Sequence, residues 1–128
     1  MLTIFTIPKP FAGHIGVIQR NAIMSWLALI PACEIILFGD EPGIQEIAQE
    51  FGIVHVPEIR KTQYGTPFLD DVFNQAQQIA HHNVVCYCNA DIIFFNGIQD
   101  IALLSCSLSS PSQNHLSAIL ASYKETQL

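Results

Sequence analysis

The chain has 128 residues, 50% of them hydrophobic and only 12% charged, with a formal net charge of −6. That length suits one domain, and that hydrophobicity excludes a disordered segment, which combines few apolar residues with high net charge. Five Lys and Arg against eleven Asp and Glu leave no basic stripe for nucleic acid and no polybasic face for a membrane.

Leu2 to Ile7 (LTIFTI) is β-branched and aromatic and stops at Pro8, which predicts a first strand. From His14 to Ile30, apolar residues recur at Ile15, Ile18, Ala22, Trp26 and Leu29. That spacing of three and four makes one helix face, which Pro31 closes and His14 is placed to cap. Glu34 to Phe38 (EIILF) reads as a second strand, and Gly39-Asp40-Glu41-Pro42-Gly43 as a turn cluster. Ile44, Ile47, Ala48 and Phe51 predict a short second helix, with Gly52 as its left-handed stop.

Ile53 to Val56 is a third strand, ended by Pro57, and a polar loop from Glu58 to Pro67 follows. Leu69, Val72, Phe73, Ala76 and Ile79 predict a third helix, and Val84 to Cys88 (VVCYC) a fourth strand. Asn89-Ala90-Asp91, apolar Ile92 to Phe95, an Asn96-Gly97 turn and a short helix over Ile98 to Leu104 complete the pattern. From Ser105 the segment SCSLSSPSQN reads as linker, and His115 to Lys124 as one weak terminal helix with no strand signal. The expected organisation is an α/β domain over 1–104 and a Ser-rich tail over 105–128.

Strands alternating with helices imply βαβ units and a Rossmann-like, mostly parallel sheet flanked by helices. Strands one, two and four are almost wholly apolar, as expected when both faces of a sheet are covered. Cys33, Cys86, Cys88 and Cys106 form no CxxC pair. Reduced thiols, no signal peptide and no run long enough to span a bilayer lead to a cytoplasmic expectation.

In open α/β sheets, ligands bind beyond the carboxyl ends of the strands. Three such ends carry polar groups here: Thr6-Ile7-Pro8-Lys9, Gly39-Asp40-Glu41 and Asn89-Ala90-Asp91. Asn89 and Asp91 are two apart, so in extended chain their side chains point the same way. Hard oxygen donors of this kind suit Mg2+ or Mn2+, with phosphate oxygens and water completing the shell. The same residues also serve as a strand-end cap, and Asp40 equally as a turn residue. Lys9, Arg60 and Lys61 are candidates to reach phosphates, or are simply solvated. His81-His82 at a helix end complements the dipole. Cys86-Tyr87-Cys88 reads as alternating strand positions, and Trp26 as core. Among the motifs, G-x-G-x-x-G, the P-loop and the nucleophile elbow are all missing, so dinucleotide oxidoreduction, P-loop hydrolysis and serine hydrolysis have no support.

TIFTIPKPFAGHIGVIQRNAIMSW, EIILFGDEPG, YGTPFL and CYCNADIIFF, in that order, resemble a bacterial family of GT-A glycosyltransferase-like proteins, from about Leu2 to Phe95. The last segment is similar to the family's metal-binding D-x-D, here Asn89-Ala90-Asp91. The resemblance implies a sheet that binds a nucleoside diphosphate sugar, with Asp91 holding Mn2+ or Mg2+ against the diphosphate and Asn89 beside it. It implies that Thr6, Ile7, Pro8, Lys9 and Asp40 surround base and ribose, and that a glycosyl group passes to an acceptor hydroxyl.

Two departures stand out. Asn replaces the first carboxylate, and a Ser-rich tail stands where the family's acceptor half would continue, the pattern of a truncated product. Such a chain is expected to bind the nucleotide without transferring sugar, and to self-associate through an uncovered sheet edge. Two other readings stay open: a non-catalytic nucleotide-binding module, and a flavodoxin-like or receiver-like signalling domain. A receiver needs an acidic cluster after strand one, where Pro8-Lys9-Pro10 stands.

Overall fold

The computed structural model describes residues 2–29, 32–82 and 84–93, and the backbone of 117–121. In chain order the elements are β1 (Leu2–Thr6), α1 (Gly13–Leu27), β2 (Glu34–Phe38), α2 (Ile44–Phe51), β3 (Val54–Val56), α3 (Leu69–Ile79), β4 (Val84–Cys88) and β5 (Ser117–Ala121). The strands form one sheet in the order β3-β2-β1-β4-β5, and every pairing is parallel. The Rossmann-like α/β expectation is therefore met.

The chain winds outward from β1 through β2 to β3, then crosses back to lay β4 on the other side of β1. Beta strand one is thus flanked by β2 and β4. Flavodoxin-like and receiver domains flank their first strand with the second and third instead. The signalling alternative loses its topology on this point.

Side chains alternate between two cores, as the pleat requires. Leu2 and Ile4 of β1, Ile35 and Leu37 of β2, and Val84, Cys86 and Cys88 of β4 face one core, with Ala22, Ile23 and Trp26 of α1 and Ile44, Ile47 and Ala48 of α2. Phe5, Ile36, Phe38 and Val85 face the other, with Val72 and Ala76 of α3. Trp26 is fully buried, worth about 1.5–3 kcal/mol by transfer from water. Phe5 sits at the centre of the second core, edge-on to Phe73 at 4.9 Å, Tyr87 at 5.5 Å and Phe38 at 5.9 Å between ring centres.

Two helix ends differ from expectation. Helix α1 starts at Gly13 with Ala12, not His14, at its capping position, and no side chain caps it. It ends at Leu27, because the Leu29 amide turns to the Trp26 carbonyl and tightens the last turn. Gly52 does close α2 in the left-handed conformation, at φ 66°.

The larger correction is in the tail. Ser117–Ala121 is a strand, aligned in parallel with Val84–Cys88, where the pattern predicts a weak helix. The outer side of β4 offers a row of backbone donors and acceptors, and pairing to it outweighs a weak local helical preference. The predicted helix over Ile98 to Leu104 and the Ser-rich linker lie outside the described residues.

Candidate functional site

The strand order creates a crevice between the carboxyl ends of β1 and β4, the point where the winding reverses. A cavity of about 310 Å³ occupies it, lined by Ile7 and Lys9 after β1, Ile15, Ile18 and Gln19 of α1, Tyr87 of β4, and Asn89, Ala90 and Asp91 beyond it. This volume lies within the roughly 300–1,000 Å³ of small-molecule sites. Its lining mixes apolar and polar residues, and the polar groups come from three separate segments.

Each segment is held by a specific contact. Buried Gln19 clasps the main chain of Lys9 with both ends of its amide: Lys9 N–H donates to Oε1 at 2.7 Å, and Nε2 donates to the Lys9 carbonyl at 2.9 Å. Beyond β4, the Trp26 indole N–H donates to the Ile92 carbonyl at 2.8 Å. The Ile92 amide in turn closes on the Asn89 carbonyl at 3.2 Å. Asn89 to Ile92 is thus a turn, not the extended chain the two-residue spacing assumes. Ala90 and Ile92 are buried while Asn89 and Asp91 are exposed, and both polar residues line the cavity.

A second cavity, of about 220 Å³, adjoins the first at Ile7 and Lys9. Pro8, Pro10, Gly39, Glu41, Ile59, Lys61, Gly65 and Pro67 complete its lining. Its outer wall is the Glu58–Pro67 loop, which folds back on itself through a Lys61–Pro67 bridge and a Thr62–Thr66 backbone bond of 2.8 Å. Lys61 Nζ reaches Asp40 Oδ1 at 3.1 Å. That hydrogen bond, with the lysine charge behind it, holds the Asp40 carboxyl below its ordinary range.

Of the residues the sequence singled out, Ile7, Lys9, Asn89 and Asp91 meet in the switch-point cavity, and Pro8 lines the adjoining one. Thr6 is fully buried, and its hydroxyl has no hydrogen-bond partner among the described residues. Asp40 lies apart from Asp91: it lines a third, open cavity of about 730 Å³ over α2 and β3. Arg60 stacks over the Phe68 ring at 5.9 Å. His81, placed by the sequence at the end of a helix, also meets Glu34. Its amide and ring both bond the Glu34 carboxylate, at 2.9 and 2.6 Å.

Burial pushes the Tyr87 hydroxyl above its ordinary pKa, with the charges of Cys88 and Asp91 adding to the effect. Tyr87 therefore stays a neutral donor close to Asp91. The Cys33 thiol is pushed up to about 11 by burial, and burial raises Cys88 as well. Neither is a ready thiolate. Gln19 and Tyr87 are the lining residues that the sequence reading passed over. Gln19 carried a signal: it lies four residues after Ile15 and three before Ala22, a polar residue on an apolar face.

Asn89 and Asp91 give two hard oxygen donors on one wall. Among the described residues no group of three or more His, Cys, Asp or Glu is placed to hold a metal ion by itself. The donor set fits an ion shared with a bound phosphate, not one bound by protein alone. No helix among the described residues is long and apolar enough to cross a membrane. Comparison with protein-family models, with curated proteins and with solved structures finds no match to the chain.

Proposed function

We propose that the chain is a glycosyltransferase-like protein that binds a nucleoside diphosphate sugar along the carboxyl edge of its sheet. The observation that carries this reading is the cavity at the winding reversal, which gathers Lys9, Asn89 and Asp91 from two strand ends. It joins the sequence resemblance to GT-A proteins, since two of the four segments that carry it line this cavity.

In this reading the base and ribose lie in the adjoining cavity between Lys9 and Lys61, and the diphosphate lies at Lys9. Asp91 and Asn89 hold Mn2+ or Mg2+. Such an ion neutralises charge that develops on a departing diphosphate. Lys9 supplies a fixed positive charge, and Gln19 keeps its backbone in place. Asp40 acts through Lys61, holding that cation at the cavity wall. Ile7, Ile15 and Ile18 supply apolar lining against which the ligand packs. Transfer to an acceptor hydroxyl is the reaction class such a donor site serves.

The test is calorimetric titration with the diphosphates of uridine, guanosine, adenosine and cytidine, each with and without Mn2+. Binding of one of them that requires Mn2+ supports the reading. No binding of any, with or without metal, overturns it. Release of nucleoside diphosphate from the corresponding sugar nucleotide then separates an enzyme from a non-catalytic nucleotide-binding module.

A further inference from the structure

Tyr87 stands where a strand residue becomes a cavity residue. It is the fourth residue of β4, and the pleat turns its ring to the α3 face, away from the Cys86 and Cys88 side. There the ring is fixed by two aromatic neighbours, Phe5 at 5.5 Å and Phe73 at 5.9 Å. Edge-on and tilted contacts of this kind leave a tyrosine little freedom to swing.

Its hydroxyl is treated differently from its ring. Among the described residues no group hydrogen-bonds it, and it is not one of the buried atoms left without a partner, a condition that falls on the Thr6 hydroxyl instead. Tyr87 is also part of the lining of the switch-point cavity, together with Asn89 and Asp91. Buried tyrosines normally direct the O–H at a partner. Here the ring is anchored at the cavity wall, and among the described residues nothing bonds the hydroxyl.

We propose that Tyr87 is a binding residue of the cavity, donating its hydroxyl hydrogen to an oxygen of the bound ligand alongside Asp91. The inference rests on the reading of this cavity as a nucleotide-sugar site and adds a contact that the resemblance does not imply. Two sources could supply that oxygen, the diphosphate and the sugar. Both are acceptors within one ligand, and they are separable by experiment.

The experiment uses Tyr87→Phe, which keeps the ring and its packing on Phe5 and Phe73 and removes one oxygen. The full chain and the variant are titrated, in Mn2+, with whichever nucleoside diphosphate binds and with its hexose ester, and their thermal unfolding midpoints are compared. The expected result is an unchanged midpoint and an affinity lower by about three- to tenfold, the range for one lost hydrogen bond. A loss with both ligands assigns the contact to the diphosphate, and a loss with the hexose ester alone assigns it to the sugar. Equal affinity of variant and parent for both ligands overturns the Tyr87 contact and leaves the nucleotide reading intact. Absence of binding by the parent chain overturns both. Tyr87→Leu, which also removes the ring, is expected to lower the midpoint, so a variant that fails through packing is recognised as such.

Discussion

The two edges of the sheet are both polar, yet they use polar groups in opposite ways. At the amino edge, the Glu34 carboxylate accepts from the Thr3 hydroxyl and the His81 amide at 2.9 Å each and meets the His81 ring at 2.6 Å. Burial opposes ionisation of Glu34, but these hydrogen bonds outweigh it and hold the carboxyl below its ordinary range. At the carboxyl edge, Asn89, Asp91 and Lys9 stand exposed around a cavity. One edge spends its hydrogen-bonding capacity internally and ties β1, β2 and the end of α3 together. The other leaves capacity over, and left-over capacity on a rigid frame is what a binding site requires. Substitutions at the amino edge should therefore change stability and spare binding, and those at the carboxyl edge the reverse.

The sharpest break should come at Asp91. Asp91→Ala removes the one carboxylate of the pair beyond β4. Loss of a direct metal contact should exceed the roughly 10–100-fold cost of losing an outer-shell partner. Mn2+-dependent nucleotide affinity should thus fall by about a hundredfold or more, while the unfolding midpoint stays put. Calorimetry in Mn2+ reads the first quantity, and retained affinity would dismiss Asp91 as an anchor.

Gln19→Leu lies on the boundary between the two behaviours. It keeps the volume of a buried side chain but leaves both main-chain groups of Lys9 without their amide partner. A cost of about 1–3 kcal/mol in stability is expected, readable from urea unfolding, together with weaker nucleotide binding as Lys9 loses its fixed position. A stability loss with unchanged affinity would show that Lys9 does not need to be held.

Glu34→Gln tests the amino edge. It should cost about 1–2 kcal/mol near neutral pH, because two or three bonds to a charged acceptor become bonds to a neutral one. The folded carboxyl titrates below its ordinary 4.5, so the ionised form favours the folded state. Its contribution is full above that ordinary value and is lost as pH falls through the lowered folded value. The gap between parent and variant should therefore close in acid. A gap independent of pH, measured by urea unfolding at neutral pH and below pH 4, would mean that the carboxylate charge is not what matters.

Asp40→Ala should do least. Its side chain is 69% exposed, and exposed ion pairs contribute little to stability. Nucleotide affinity should drop by less than about threefold, through a looser Lys61. A large loss would mean that Asp40 itself touches the ligand.

Much of this was readable beforehand. The bounds of β2, α2, α3 and β4 follow from apolar runs and periodicity, bounded by Pro and Gly around β2 and α2 and at the start of α3, and by polar residues on both sides of β4. Strand order did not follow, because nothing near Val84 records that it will pair with Leu2. Ser117–Ala121 escaped for the same reason: its partner lies across a long stretch of chain. The Glu34–His81 pair joins residues 47 apart in sequence, beyond any periodicity. Asn89 and Asp91 were legible as a pair but for an incomplete reason, since a turn and not a strand brings them to one wall.

Phe11 joins the two loops that border the site. Its amide bonds the Pro42 carbonyl at 2.8 Å, and its atoms lie so close to Gly16 and Gly43 that a Cβ at either would stand within 2.9 Å of them. The loop after β1 and the loop after β2 are therefore welded, and neither can swing without carrying the other. In hydrogen–deuterium exchange the Phe11 amide should be protected like a core amide although it sits in a connection, and alanine at Gly16 should release it.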